Sequence, residues 1–125
     1  MDKPNITEFC ISRLDAEKQI ADGILSKLYD SIGDRNETDE QAITLAEAIK
    51  NIKGVLRSIG VKRRIITRHS RVIICGMECC QFCSKADLLL PFPCDDVYDV
   101  ASLWSDDADY NPDWAPFAEG ETNAR

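Results

Sequence analysis

Apolar residues recur at helical spacing along the first third of the chain. From position 9 onward, the residues that recur near helical spacing are Phe9, Leu14, Ile20, Ala21, Ile24, Leu25, Leu28 and Ile32. This period is typical of an amphipathic helix. Asn5, followed three residues later by Glu8, has the form of a capping box. The pattern predicts a helix over residues 6–32, ended by the turn formers of 33–36.

A second helical stripe follows after a short polar loop. Its apolar members are Ile43, Leu45, Ala48, Ile49, Ile52, Val55, Leu56 and Ile59. Thr38 with Gln41 repeats the capping-box form at its start. Gly60 costs about 1 kcal/mol inside a helix, which a long packed helix absorbs, and the period continues to His69. We therefore expect a helix over 38–69 that packs antiparallel against the first as a hairpin.

Beyond Arg71 the helical period is lost. Residues 72–75 form a short β-branched run before a cysteine cluster, and prolines interrupt the apolar stretch of 88–93, which indicates extended chain. Asp95 or Asp96 is in place to cap a short third helix over 95–104. The predicted fold is mainly α: a long antiparallel helical hairpin, a small zinc-knuckle-like segment over 70–94, the short helix and an extended acidic tail. Residues 1–117 are predicted to form one domain, and 118–125 a disordered tail.

Charge is strongly segregated along the chain. The 125 residues carry a net charge of −7. Residues 48–76 hold no Asp or Glu but eight cations: Lys50, Lys53, Arg57, Lys62, Arg63, Arg64, Arg68 and Arg71. Such a stretch favours either a basic face for an acidic partner or nucleic acid, or internal neutralisation by the acidic tail. Both interpretations stay open from the sequence.

The remaining composition narrows the class of protein. No apolar run is long enough to cross a membrane, and residues 1–5 lack the basic and apolar regions of a signal peptide. We therefore expect a cytoplasmic protein. The chain has six cysteines, and in a reducing compartment such clusters more often bind metal or carry out redox chemistry than form disulfides.

The cysteine spacing indicates a metal site. Cys80 and Cys83 form a Cys-x-x-Cys knuckle, which lets two thiolates bind one tetrahedral ion. His69, the only histidine, lies eleven residues before Cys80, and Cys94 eleven after Cys83. A Cys₃His set of this kind suits a structural Zn²⁺ best, with iron second.

Other ligand sets remain open. Cys75 or Cys79 could replace a member of the set in a zinc site or an iron–sulfur cluster, or the cysteines could bind no metal. Thiol–disulfide exchange at Cys80 and Cys83 would require a strand–motif–helix context that the surrounding sequence does not predict. Cys10, far away in the first helix, is expected in the core.

Several stretches resemble an uncharacterised family of small proteins from actinobacteria and their phages, catalogued as a domain of unknown function. The similar stretches are 6–9, 13–17, 62–69, the Cys80 and Cys83 pair, 93–94, 100–101 and 107–116. The resemblance implies His69, Cys80, Cys83 and Cys94 as the metal set, and a host-cell or phage context. Cys75 and Cys79 depart from the family pattern. The family has no assigned activity, so no mechanism follows from the resemblance.

No enzymatic motif is visible, since the chain lacks a Gly-rich phosphate loop and a second histidine. We expect a zinc-stabilised module that binds another protein, as a phage factor acting on a host protein would, with Tyr110 and Trp114 as partner contacts. The alternative for these two aromatics is that they pin the tail to the body. The alternative role is nucleic-acid binding or transcription modulation through the basic stretch 50–71, using Lys53, Arg57, Lys62, Arg63, Arg64, Arg68 and Arg71. Pairing of two copies into a homodimer is also compatible with the long amphipathic helices.

Overall fold

Two long helices dominate the computed structural model, which describes residues 5–32, 39–85 and 87–115. Helix α1 spans Ile6–Ile32 and α2 spans Asp39–Arg68. They are followed by a two-stranded antiparallel sheet, β1 Arg71–Ile74 and β2 Met77–Cys80. Helix α3 spans Asp95–Ala101, and 3₁₀ turns lie at Ser102–Trp104 and Pro112–Trp114. The predicted mainly α fold, with two long helices, a cysteine segment and a short third helix, is confirmed.

The chain divides into two compact units. The first, called the hairpin unit here, comprises residues 14–63. In it α1 and α2 pack together: Arg63 forms an ion pair with Asp15, and the Lys53 ammonium lies 5.8 Å from the ring centre of Tyr29. Asp15 precedes Tyr29 along α1, whereas their partners on α2 come in the reverse order, Lys53 before Arg63. The two helices are therefore antiparallel, as predicted. The predicted turn at 33–36 and the Thr38 cap lie outside the described residues.

Few of the described side chains of the hairpin unit are buried. They are Leu14, Ala21, Leu45 and Ile59. Ile20 and Ile24, which the period also placed on the apolar stripe of α1, are 65% and 42% exposed. Both precede a core-facing position by one residue and are therefore rotated by about 100° from the seam. The seam between the two helices is consequently narrow.

The second unit, called the cysteine unit here because it holds all six cysteines, contains residues 1–13 and 64–125. Its core joins the first turns of α1 to the end of α2, to α3 and to the tail; the buried members are Ile6, Phe9, Cys10, Ile66, Val97, Val100, Ala101 and Tyr110. Asn5 caps α1, since its Oδ1 accepts the backbone N–H of Glu8 at 2.8 Å. That confirms the amide half of the predicted capping box.

A β-hairpin that the sequence did not predict as such connects α2 to the knuckle. Arg71 pairs with Cys80 and Ile74 with Met77 across a two-residue turn. The turn residues Cys75 and Gly76 have φ of 52° and 79°, as a type I′ turn requires at both central positions. Gly76 tolerates that conformation without strain, but a cysteine at the first position is unusual. The β-hairpin places Cys80 opposite Arg71, the first residue of β1.

Helix α3 begins at Asp95, one residue earlier than it would if Asp95 were its N-cap. Its N-cap is Cys94, in extended conformation and without a side-chain capping bond. Asp95 and Asp96 instead occupy the first helical turn, where acidic side chains favour the positive end of the helix. The predicted capping role of Asp95 or Asp96 is therefore wrong, and the correction places a candidate ligand at the helix start. The predicted span 95–104 is otherwise matched by α3 and the 3₁₀ turn that follows it.

Candidate metal centre

Four side chains from four different elements meet at one point of the cysteine unit. His69 directly follows α2, Cys80 ends β2, Cys83 lies in the turn after it, and Cys94 caps α3. Their potential ligand atoms all lie within 4.8 Å of one another, close enough to hold a metal ion. The set found in space is the one predicted from spacing.

The distances within the group fit a tetrahedral ion. His69 Nδ1 lies 3.5 Å from the Cys80 sulfur and 3.4 Å from each of the sulfurs of Cys83 and Cys94. Ordinary zinc–nitrogen and zinc–sulfur bonds at tetrahedral angles would separate nitrogen and sulfur by about 3.6 Å. The three nitrogen–sulfur distances are therefore within a few tenths of an ångström of those expected around one zinc ion.

Hydrogen bonding alone does not account for the arrangement. A ring nitrogen carries either one proton or one lone pair, so Nδ1 of His69 cannot satisfy three sulfurs together. The histidine is 4% exposed and Cys80 is fully buried, whereas Cys83 and Cys94 are partly buried. A cation at the centre would contact all four atoms, so metal binding is the simplest chemical explanation of the arrangement.

Local backbone structure holds the knuckle in place. The backbone N–H of Ser84 donates to Cys80 O at 3.0 Å, and that of Gln81 donates to Ser70 O at 2.9 Å. Cys80 N–H donates to Leu90 O at 2.9 Å, which ties the proline-interrupted segment to β2 beside an isolated antiparallel bridge between Cys79 and Pro91. These bonds fix the positions of Cys80 and Cys83 independently of their side chains.

The far side of the His69 ring has a carboxylate partner. Nε2 of His69 lies 3.3 Å from Oδ2 of Asp96. Sequence reasoning missed this residue: it singled out Asp96 only as a cap. The available signal was a carboxylate two residues after a ligand cysteine, but nothing in the sequence distinguishes Asp96 from the adjacent Asp95.

The thiols of Cys83 and Cys94 are held in their neutral form when no metal is bound. Burial, followed by contacts with the Cys80 and Cys94 thiols, raises the pKa of Cys83 to about 12. Burial also raises the pKa of Cys94, although the nearby backbone N–H groups of Val97 and Asp96 oppose that shift. A metal ion must therefore displace thiol protons when it binds.

The alternative ligands lie elsewhere. Cys75 is exposed in the β-hairpin turn, and Cys79 is buried with its thiol donating to Met77 O at 3.6 Å. Neither belongs to the group of four. Cys10 lies in the core as predicted, and burial raises its pKa to about 12. The described cysteines form no disulfide.

The seven candidate basic contacts differ in their surroundings. Arg63 is paired with Asp15, and Arg71 with Glu78 at 2.6 Å. Arg68 lies over the exposed ring of Phe82, 5.4 Å from its centre, and that ring in turn meets the edge of His69. The other four are Lys53, which lies near Tyr29, and Arg57, Lys62 and Arg64. With the rest of the described chain, Lys53, Arg57, Lys62, Arg64 and Arg68 make no ion pair.

The two candidate aromatic contacts lie against the core of the cysteine unit. Tyr110 is buried, and Trp114 packs against it at 5.5 Å between ring centres. Both rings also contact Phe9, at 6.0 and 5.3 Å. This is the arrangement of the alternative interpretation, in which the aromatics pin the tail to the body. Tyr110 is not accessible to a partner here.

Comparisons with known proteins add no relative to this picture. No family model matches the chain, and no curated protein or solved structure matches it. Within the described residues, none of the helices combines the length and the apolar character that a membrane span requires.

Proposed function

We propose that this chain is a small non-enzymatic binding protein whose cysteine unit is stabilised by one structural Zn²⁺. The ligands are His69, Cys80, Cys83 and Cys94. The observation that carries the proposal is the approach of three sulfurs to a single ring nitrogen at 3.4–3.5 Å. Three thiolates and an imidazole form a donor set that suits zinc. Four protein ligands leave no open position for a substrate, which favours a structural over a catalytic ion.

Elemental mass spectrometry on freshly purified protein tests the metal. We expect about one equivalent of zinc in the natural chain and its loss in His69→Ala and Cys83→Ser. Cys75→Ser is the matched control, because Cys75 is exposed in a turn outside the group, and it should retain zinc. Iron with sulfide, or absence of metal from the natural chain, would contradict the proposal.

The proposed partner is another protein, and the resemblance to actinophage proteins makes a host protein in the cytoplasm the expected target. Support comes from the exposed Phe82 beside Arg68 on the knuckle, because aromatic and arginine side chains dominate many binding surfaces. Pull-downs from host lysate should recover a protein that Phe82→Ala no longer retains while its zinc content is unchanged. If the natural chain retains nothing above a Cys80→Ser control, the binding role is wrong.

Nucleic-acid binding is the second candidate. It is favoured by five of the seven candidate basic contacts, which make no ion pair with a described residue. Contacts of this kind release counterions, so binding should weaken steeply as salt rises. Arg64→Gln combined with Arg57→Gln should reduce both retention and its salt dependence. Absence of duplex DNA and RNA retention at low salt would exclude this role.

A further inference from the structure

The two nitrogens of His69 face different partners. Nδ1 lies among the three sulfurs, whereas Nε2 lies 3.3 Å from the Asp96 carboxylate. The ring is buried, and it meets Phe82 edge-on, with 4.7 Å between ring centres. It is therefore held between a candidate metal position and a negative charge.

We propose that Asp96 is a positioning residue for the metal: it accepts the Nε2 proton of His69 and so fixes the tautomer whose Nδ1 lone pair binds the ion. This inference rests on the proposed metal centre. A neutral imidazole has its proton on either nitrogen. Only the tautomer protonated at Nε2 offers Nδ1 to a metal, and an acceptor at Nε2 selects that tautomer.

The local structure explains why this carboxylate is in the right place. Asp96 lies in the first turn of α3, two residues after the ligand Cys94. The backbone N–H of Val97 donates to the carbonyl oxygen of Cys94 at 3.1 Å and closes the first turn of the helix. One helical turn therefore carries the ligand Cys94 at its start and the carboxylate that faces His69. The sequence Cys94-Asp95-Asp96-Val97 brings both groups together in four residues.

The role of Asp96 differs from that of a general acidic surface. Asp95, Asp96 and Asp99 all lie on α3 and all are exposed, but the ion pair of His69 is formed with Asp96. Removal of Asp96 should therefore weaken metal binding, whereas removal of Asp99 changes the same net charge without touching the ring. Asp99 offers a matched control on the same helix.

Competition with a chromophoric zinc chelator measures the effect. Loss of such an outer partner typically lowers metal affinity about 10–100-fold. We expect a decrease in this range for Asp96→Ala, a smaller one for Asp96→Asn, which keeps an acceptor oxygen, and none for Asp99→Ala. Nitrogen-15 NMR of the zinc-loaded protein supplies a second readout: the His69 Nε2–H signal should be protected from exchange in the natural chain and lose that protection in Asp96→Ala.

The outcomes separate this inference from the metal centre itself. A natural chain that binds no zinc would overturn both. Tight zinc binding that is unchanged in Asp96→Ala would overturn the role of Asp96 and leave the metal centre standing. An equal decrease in Asp99→Ala would also overturn it, because the effect would then be one of net charge. A His69 ring bound through Nε2, with Nδ1 protonated, would contradict the tautomer.

Discussion

The hairpin unit and the cysteine unit are stabilised in different ways. In the hairpin unit, regular helices satisfy their own backbone hydrogen bonds, and among its described residues only four side chains along a narrow seam are buried. In the cysteine unit, short elements from distant parts of the sequence meet around an aromatic core and a four-ligand cluster. A short strand or a seven-residue helix is not stable on its own. The cysteine unit therefore depends on non-local contacts, and the hairpin unit depends more on local ones.

The largest difference should appear when the metal is removed. Apparent binding free energies of structural zinc in small domains are about 10–16 kcal/mol at neutral pH, and this energy is available only to the folded site. Chelation, or Cys83→Ser, should therefore unfold the sheet and α3 while residues 14–32 and 39–63 remain helical. Hydrogen–deuterium exchange with mass spectrometry would resolve the two units.

The exchange experiment can also contradict this comparison. Equal loss of protection in both units would mean that the hairpin unit has no stability of its own. Cys75→Ser, which leaves all four ligands in place, should exchange like the natural chain in both units.

A core substitution should produce the next largest contrast. Phe9 is 1% exposed and contacts Trp104, Tyr110 and Trp114, so Phe9→Ala should destabilise the cysteine unit by about 3–5 kcal/mol. Leu45 in the hairpin unit borders an open groove next to Leu28 and Thr44. Leu45→Ala should cost about 2 kcal/mol, the low end for leucine, since solvent already reaches the site.

Two probes keep the units apart in urea denaturation. Both tryptophans belong to the cysteine unit, so their fluorescence follows that unit, whereas far-UV circular dichroism is dominated by the long helices. Phe9→Ala should shift the fluorescence midpoint more than Leu45→Ala does. The reverse order would show that the aromatic cluster contributes less than its burial indicates.

The same contrast explains what the sequence could predict. The helices of the hairpin unit were predictable because their apolar period persists over many turns. The four ligands were predictable because few residue types bind zinc and their spacing is regular. Which apolar residues of the hairpin unit are buried was harder to predict. Ile20 and Ile24 are apolar like Ala21 and Leu25, and they are exposed because each lies one residue before a position on the seam.

Features that depend on short, non-local structure were missed. The β-hairpin has Cys75-Gly76 in its turn, and cysteine is not a typical residue for the first position of a type I′ turn. The predicted N-cap of α3 was wrong because aspartate is a stronger capping signal than the cysteine that precedes the two aspartates. The contact of Asp96 with His69 follows only once that helix start is known. Residue type and spacing were enough to predict the four members of the cluster, whereas the carboxylate beside His69 could be identified only from the structure.

The smallest predicted contrast concerns one ion pair in each unit. In the cysteine unit, Arg13 donates to Asp107 at 2.7 Å, and the backbone N–H of Asp109 donates to the same carboxylate at 2.9 Å. First the Asp109 amide, then Arg13, hold the pKa of Asp107 below its ordinary value of 3.8. In the hairpin unit, Asp15 and Arg63 form a more exposed pair, and such pairs contribute about 0–1 kcal/mol.

The sign of the pH dependence follows from the lowered pKa of Asp107. The folded state favours the charged carboxylate, so its stabilising contribution is present above pH 3.8 and is lost as the pH falls through the lower folded value. Asp107→Asn should therefore reduce the urea midpoint of tryptophan fluorescence at neutral pH, by less than Phe9→Ala does. The difference from the natural chain should close at more acidic pH. Asp15→Asn is the control and should leave this midpoint unchanged, because Asp15 belongs to the hairpin unit. A gap between Asp107→Asn and the natural chain that persists below the folded pKa would show that the charge of Asp107 is not what stabilises the tail.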